Sequence, residues 1–164
     1  MKQITVHQIA FSGMLTALYA VLTISTSAIS YGPIQFRIAE ALCILPYFPP
    51  AATVGLTLGC LIANLFSTVS ALDIVVGTAA TLIACLLVRR IQKPWLAPLP
   101  VVLCNAVLIG AEIAVVSSPD AFWKGFALFG AQVGIGELAV MYLLGLPLLL
   151  VLKKNGLGHR ISRI

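Results

Sequence analysis

Two opposite charges, Arg37 and Glu40, sit inside the otherwise apolar run from Tyr31 to Pro50, YGPIQFRIAEALCILPYFPP. Glu112 and Glu137, with the amides Asn64, Asn105 and Gln132, interrupt other apolar stretches. A charge inside a membrane-spanning segment costs at least about 2.5 kcal/mol on insertion scales, so such groups pair, line a cavity, or do both. Buried carboxylates and amides must be hydrogen-bonded. A few such groups converging in apolar surroundings are the usual form of a small-molecule site. The chemistry on offer is recognition. There is no Gly-x-Ser-x-Gly, no HExxH, no Ser/His pair placed to converge, and no Gly-x-x-x-x-Gly-Lys phosphate loop. The chain therefore reads as a non-enzyme that cannot hydrolyse ATP through such a loop. Cys43, Cys60, Cys85 and Cys104 fall in four separate apolar segments with no metal-type spacing. They read as small buried hydrophobes, and neither metal nor cofactor is expected.

The elements that position these groups follow from composition. Of 164 residues, 60% are hydrophobic and 9% charged, with a mean hydropathy of +1.08. Soluble domains carry about 25% charged residues, so the solvent here is a bilayer. The fold class expected is an all-α polytopic membrane protein: one domain over residues 1–164, with six transmembrane helices in a compact bundle. The spans fall at about 4–29, 36–48, 51–67, 72–88, 95–116 and 122–152. The first is read as a retained span, because the apolar run is long and lacks a small-x-small cleavage site. The second follows a Gly32-Pro33 turn, starts near Phe36 and is ended or kinked by Pro46, Pro49 and Pro50. It is brief enough to be re-entrant. Six crossings nevertheless place Lys2, the Arg89–Arg90–Lys93 cluster and the Lys153–Arg163 cluster on one side, with both termini cytoplasmic. The sparse, separated basic residues argue against nucleic-acid binding.

With that topology, Glu40, Glu112 and Glu137 lie at or outside the midplane, as do Asn64, Asn105 and Gln132. They outline an outward-facing polar pocket. Arg37 and Glu40 share a helical face at i, i+3, so a purely structural pair remains open beside a ligand-binding one. Tyr31 and Phe36 lie near the mouth, where they could stack on a planar ring. Asp73 and Asp120 are expected as interface residues, an N-cap and a loop acid. Trp95 and Trp123 are expected as interfacial anchors, and His7 as a satisfied interface residue. Ala10, Gly13, Ala17 and Ala20 line one face of segment 1. That face serves either packing inside the bundle or docking onto a partner membrane protein. Gly55-x-x-x-Gly59-x-x-x-Ala63, Gly77/Ala80/Ala84 and Gly130-x-x-x-Gly134 are further close-packing faces.

YGPIQFRIAEALCILPYF, the Gly-rich third span and LDIVVGTAATLIA together resemble the QueT family, the queuosine-precursor substrate-binding subunits (S components) of energy-coupling factor (ECF) transporters. The resemblance covers nearly the whole chain, and FRIAEALCILPYF is its specific part. It implies a multi-pass cell-membrane protein of six helices that binds a 7-deazaguanine (preQ0, preQ1 or queuine) outside. The implied partners are a transmembrane coupling subunit and two cytoplasmic ATPase subunits. The ring's N–H donors would suit a carboxylate such as Glu112 or Glu137, and its carbonyl would suit Arg37, Asn105 or Gln132. The Ala10, Gly13, Ala17, Ala20 face resembles the Ala-x-x-x-Ala docking motif of S components, with Gly13 in place of its first alanine. Rival readings are an S component for another vitamin, a stand-alone secondary transporter or channel, and a structural membrane protein without a ligand.

Overall fold

Thr5 opens the chain's first helix with a capping box. Its hydroxyl accepts from the Gln8 N–H, and the Gln8 side chain accepts from the Thr5 N–H. The computed structural model describes residues 5–30, 36–67 and 70–161, the side chains of residues 159 and 160 excepted. Helix α1 (Val6–Ser25) is followed by the single turn α2 (Ser27–Ser30) and a 3-10 helix (Ile38–Tyr47). Then come α3 (Ala51–Asn64), α4 (Asp73–Val88), α5 (Leu99–Ser117), α6 (Phe122–Val140), α7 (Leu146–Lys154) and α8 (Leu157–Ile161). No strand occurs among the described residues.

Three stretches, Val6–Ser25, Pro94–Ser117 and Pro119–Lys154, are long and apolar enough to cross a membrane alone. Ile38–Tyr47, Ala51–Asn64 and Asp73–Val88 are shorter apolar helices. Side-chain contacts fix their directions. Ser12 donates to Ala51 O and Thr16 to Gly55 O, so α1 and α3 run parallel. Arg37 meets Asp73 at the start of α4 and Tyr47 meets Gln92 just past its end, so the 3-10 helix runs parallel to α4. Asn64 meets Asp73 and Cys60 meets Thr81, so α3 and α4 are antiparallel. Gly110 lies against Gly130, and Ala106 against both Gly130 and Gly134, so α5 and α6 are antiparallel too. One end of the bundle therefore gathers Arg37, Asn64, Asp73, Glu112 and the start of α6. At the other end Tyr47 donates to Gln92 O and Tyr142 to Trp95 O.

The glycine faces serve this packing. A methyl on Gly55 would meet the Ser12 backbone, and one on Gly59 would meet Tyr19 Cβ and Thr16 O. On Gly110 it would come within 2.6 Å of Gly130 Cα, so α5 and α6 touch backbone to backbone.

Two segments depart from a plain helical reading. Residues 36–48 were expected as a helix from Phe36; instead a 3-10 helix starts at Ile38, with Arg37 at its cap. Pro46 lacks an N–H and its ring would clash with the carbonyl four residues back in an α-helix. At about 2.0 Å rise per residue, the segment reaches about 20 Å. It fills the centre of the bundle: Ala39, Cys43, Ile44 and Leu45 are buried against Leu15 and Tyr19 of α1, Leu56 and Cys60 of α3, and Cys85 of α4. Such a long 3-10 run is uncommon, and burial on several sides is what holds it. The sixth segment is broken by a π-turn at Met141–Gly145 before α7. Pro147 cannot continue the regular bonding pattern, and the Leu146 N–H reaches back to Met141 O instead.

The small-residue face of α1 divides. Ala10, Gly13 and Ala17 are exposed, and a methyl on Gly13 would meet nothing within 4 Å. Ala20, expected on the same free face, is buried, because α1 turns that side toward the core near Tyr19. Trp95 and Trp123 are both exposed, at opposite ends of the bundle. His7 is exposed near the start of α1, and Asp120 in the short turn before α6.

Candidate functional site

Six elements, α1, the 3-10 helix and α3 to α6, contribute buried polar groups. Their cation comes from the start of the 3-10 helix. Arg37 Nη2 lies 3.5 Å from Asp73 Oδ2, with both side chains almost fully buried. This corrects two expectations. Arg37 was paired with Glu40 at i, i+3, but it sits at the cap outside the helical geometry on which that spacing relies, and its acidic partner is Asp73. Asp73, expected as an interfacial N-cap, is the first residue inside α4 and is buried at 1% exposure. Its Oδ2 also accepts from Ser67 Oγ at 2.6 Å.

Asn64, at the end of α3, donates to Asp73 O at 2.9 Å and to Cys60 Sγ at 3.3 Å. Thr81 Oγ1 donates to the same sulfur at 3.2 Å, and the thiol reaches Gly77 O at 3.7 Å. Cys60 is buried, as expected of the cysteines, and so are Cys43 and Cys85, while Cys104 is half-buried. Yet Cys60 ties α3 to α4 within the polar network instead of serving as filler. Gly77 makes room for this arrangement: a methyl there would come within 2.5 Å of Asp73 Oδ1 and 2.6 Å of Asn64 Nδ2.

Two of the remaining acids, Glu40 and Glu112, are each held through one oxygen. Tyr19, fully buried on α1, donates to Glu40 Oε1. Ser70 Oγ donates to Glu112 Oε1 and accepts from the Leu72 N–H. Asn105 on α5 and Glu137 on α6 are both buried. One oxygen of each glutamate, Glu40 Oε2, Glu112 Oε2 and Glu137 Oε2, is buried without a donor. So are Asn64 Oδ1 and Gln132 Oε1. Buried polar groups are normally hydrogen-bonded. These acceptors, spread over several helices, are available to hydrogen-bond donors.

Of the residues singled out from sequence, Arg37, Glu40, Asn64, Asn105, Glu112 and Glu137 are all buried in this cluster, and Gln132 is half-buried. Phe36 is partly exposed beside it in sequence, and Tyr31 lies outside the described residues. Sequence reasoning missed Tyr19, Cys60, Ser70 and the inward role of Asp73. For Asp73 a signal existed: an acid that opens an apolar span has no cation nearby in sequence and must find one across the bundle or face water.

The QueT transporter family model matches residues 9–154, most of the chain. The chain belongs to the QueT transporter family. An 85-residue stretch is 39% identical to the "Queuosine precursor transporter QueT" of Lactococcus lactis subsp. cremoris (strain MG1363). That stretch covers 51% of this chain and 50% of the relative, so the match spans about half the relative's length. No solved structure matches the chain. Membership in the QueT family agrees with the resemblance carried by FRIAEALCILPYF, and that segment forms the central 3-10 helix and supplies both Arg37 and Glu40.

Proposed function

We propose that this chain is the membrane-embedded substrate-binding subunit of an ECF-type importer for a queuosine precursor, a 7-deazaguanine. The observation that carries the reading is the acceptor-rich cluster at one end of the bundle. A deazaguanine ring presents N–H donors at N1, N9 and the exocyclic amine, which suit Glu112 and Glu137, while its carbonyl suits Arg37 or Asn105. All six apolar segments cross the cell membrane in this reading. The shorter ones are accommodated by tilt of their neighbours and local thinning of the bilayer. Arg89, Arg90, Lys93, Lys153 and Lys154 mark the opposite end as cytoplasmic, so the site opens outward. Glu112→Ala and Glu137→Ala are each expected to weaken 7-deazaguanine binding at least tenfold, since a hydrogen bond to a charged group is worth about 1.5–3 kcal/mol. Calorimetry on the purified protein checks this, and unchanged affinity in both variants would remove these residues from the site.

Energy comes from partners in this reading: a transmembrane coupling subunit and two cytoplasmic ATPases. The docking surface is the free part of the α1 face, Ala10, Gly13 and Ala17, whose lack of side-chain bulk permits close helix approach. Ala20 drops out of that surface because it is buried. Gly13→Phe and Ala17→Phe are expected to abolish uptake by cells while leaving binding in detergent intact. Uptake that survives both substitutions would place the coupling interface elsewhere.

A further inference from the structure

We propose that the groove between the end of α4 and the start of α5 holds an anionic phospholipid, its headgroup on Arg89, Arg90 and Lys93 and an acyl chain along the apolar wall. Such a site requires the bilayer but not the queuosine-precursor reading. The groove has a volume of about 340 Å³, within the range of about 300–1,000 Å³ usual for small-molecule sites. Leu87 lines it from α4, and Leu99, Leu103 and Cys104 line it from α5. Arg90, just past the end of α4, brings a charge to this lining. Leu99 to Cys104 covers about 7.5 Å of helix at 1.5 Å per residue, so the groove leads from the basic end of the bundle into the apolar depth of the membrane.

Charge sets the occupant. Arg89, Arg90 and Lys93 are all exposed, and none of them makes an ion pair among the described residues. The acids of the same two helices, Asp73 at the start of α4 and Glu112 late in α5, lie toward the other end of the bundle. The turn that carries the cations is also held in place. Tyr47 Oη donates to Gln92 O at 2.8 Å, Tyr142 Oη donates to Trp95 O at 3.2 Å, and the Leu96 N–H donates to Lys93 O at 3.0 Å. Lys93 Nζ lies 6.0 Å from the centre of the Trp95 ring. Trp95 is exposed, and an indole at a helix end is favoured at headgroup level. A fixed basic cluster at that level, opening onto an apolar groove, matches a molecule with an anionic head and a hydrocarbon tail. Arginine takes a phosphate through two parallel N–H···O bonds, and basic pockets between membrane helices bind anionic headgroups. An inorganic anion answers the cations but leaves the groove unfilled. A zwitterionic lipid fills the groove but presents the cations with a positive charge of its own.

Fluorescence quenching by brominated lipids tests this on the full chain in phosphatidylcholine vesicles. Trp123→Phe leaves Trp95 as the single tryptophan, next in sequence to the groove residue Leu96. Dibromo-phosphatidylglycerol is expected to quench Trp95 with at least about fivefold higher relative affinity than dibromo-phosphatidylcholine, the step of one Lys or Arg meeting an anionic lipid. Arg90→Gln is expected to cut that ratio by about threefold or more. Cys104→Phe, which fills the groove and keeps all three cations, is expected to lower the ratio as well, and so is Leu103→Gln, a polar change at an exposed position that leaves the core alone. Equal quenching by the two lipids would overturn the inference, and so would a ratio that Arg90→Gln leaves unchanged. A preference that survives both Cys104→Phe and Leu103→Gln would overturn it too, because the cations then act as a diffuse charged surface or meet an acidic partner protein without the groove.

Discussion

Arg37→Met is expected to destabilise the protein by about 3–5 kcal/mol, the usual consequence of removing one member of a buried ion pair. Methionine keeps much of the side-chain volume, so the loss reports charge and hydrogen bonding more than packing. Asp73 would keep Ser67 Oγ on Oδ2 but lose the guanidinium, and Glu40 would lose the nearby positive field. Lysine is not an adequate replacement, because an ammonium cannot reproduce the planar fork that reaches toward Asp73 and Cys60 together. Thermal unfolding in detergent should show the loss. The double variant Arg37→Met/Asp73→Asn is expected to recover part of it, since the uncompensated charge is removed with its partner. A double variant no more stable than Arg37→Met alone would show that Asp73 is not the group Arg37 supports.

Gly77→Val is expected to cost at least about 2 kcal/mol and to lower substrate affinity tenfold or more, because it displaces two fixed buried groups at once. The added Cβ would fall 2.5 Å from Asp73 Oδ1 and 2.6 Å from Asn64 Nδ2. Neither can move freely: Asn64 is committed to Asp73 O and Cys60, and Asp73 to Arg37 and Ser67. A buried polar group that loses its partner costs about 1–3 kcal/mol. Gly13→Ala is the matched control. Its methyl would meet nothing within 4 Å, so stability should hold or rise by up to about 1 kcal/mol from helix propensity. Melting curves and calorimetry on both variants separate the two cases, and a Gly77→Val protein that melts and binds like the parent would contradict the packing described here.

Much of the site was legible in the chain because the bilayer makes polar residues conspicuous. Arg37, Glu40, Glu112 and Glu137 stand out against apolar neighbours, and the price of placing them there requires partners. Antiparallel order with short loops then brings the ends of α3 and α5 and the start of α4 together. What could not be read is which partner each group takes. Periodicity reports neighbours on one helix, which is why Glu40 looked like the natural mate of Arg37. The true acidic partner is 36 positions away, on α4. Tyr19 and Cys60 escaped notice for a related reason. Both suit an apolar face, and only their neighbours across the bundle turn them into a donor to Glu40 and a hub for Asn64 and Thr81.

The sequence by itself determined the solvent, the apolar segments, the family and several of the buried polar groups, Arg37, Glu40, Asn64, Asn105, Glu112 and Glu137, since each of these follows from composition, local order or motif. The tertiary structure alone decided how Tyr31–Pro50 is used. Packing from several sides, with Pro46 barring a regular α-helix, makes residues 38–47 a central 3-10 helix. That placement sends Arg37 to Asp73 and Glu40 to Tyr19, and one oxygen each of Glu40, Glu112 and Glu137 is left without a donor. Pairing across helices depends on their distance and rotation, which no single helix encodes.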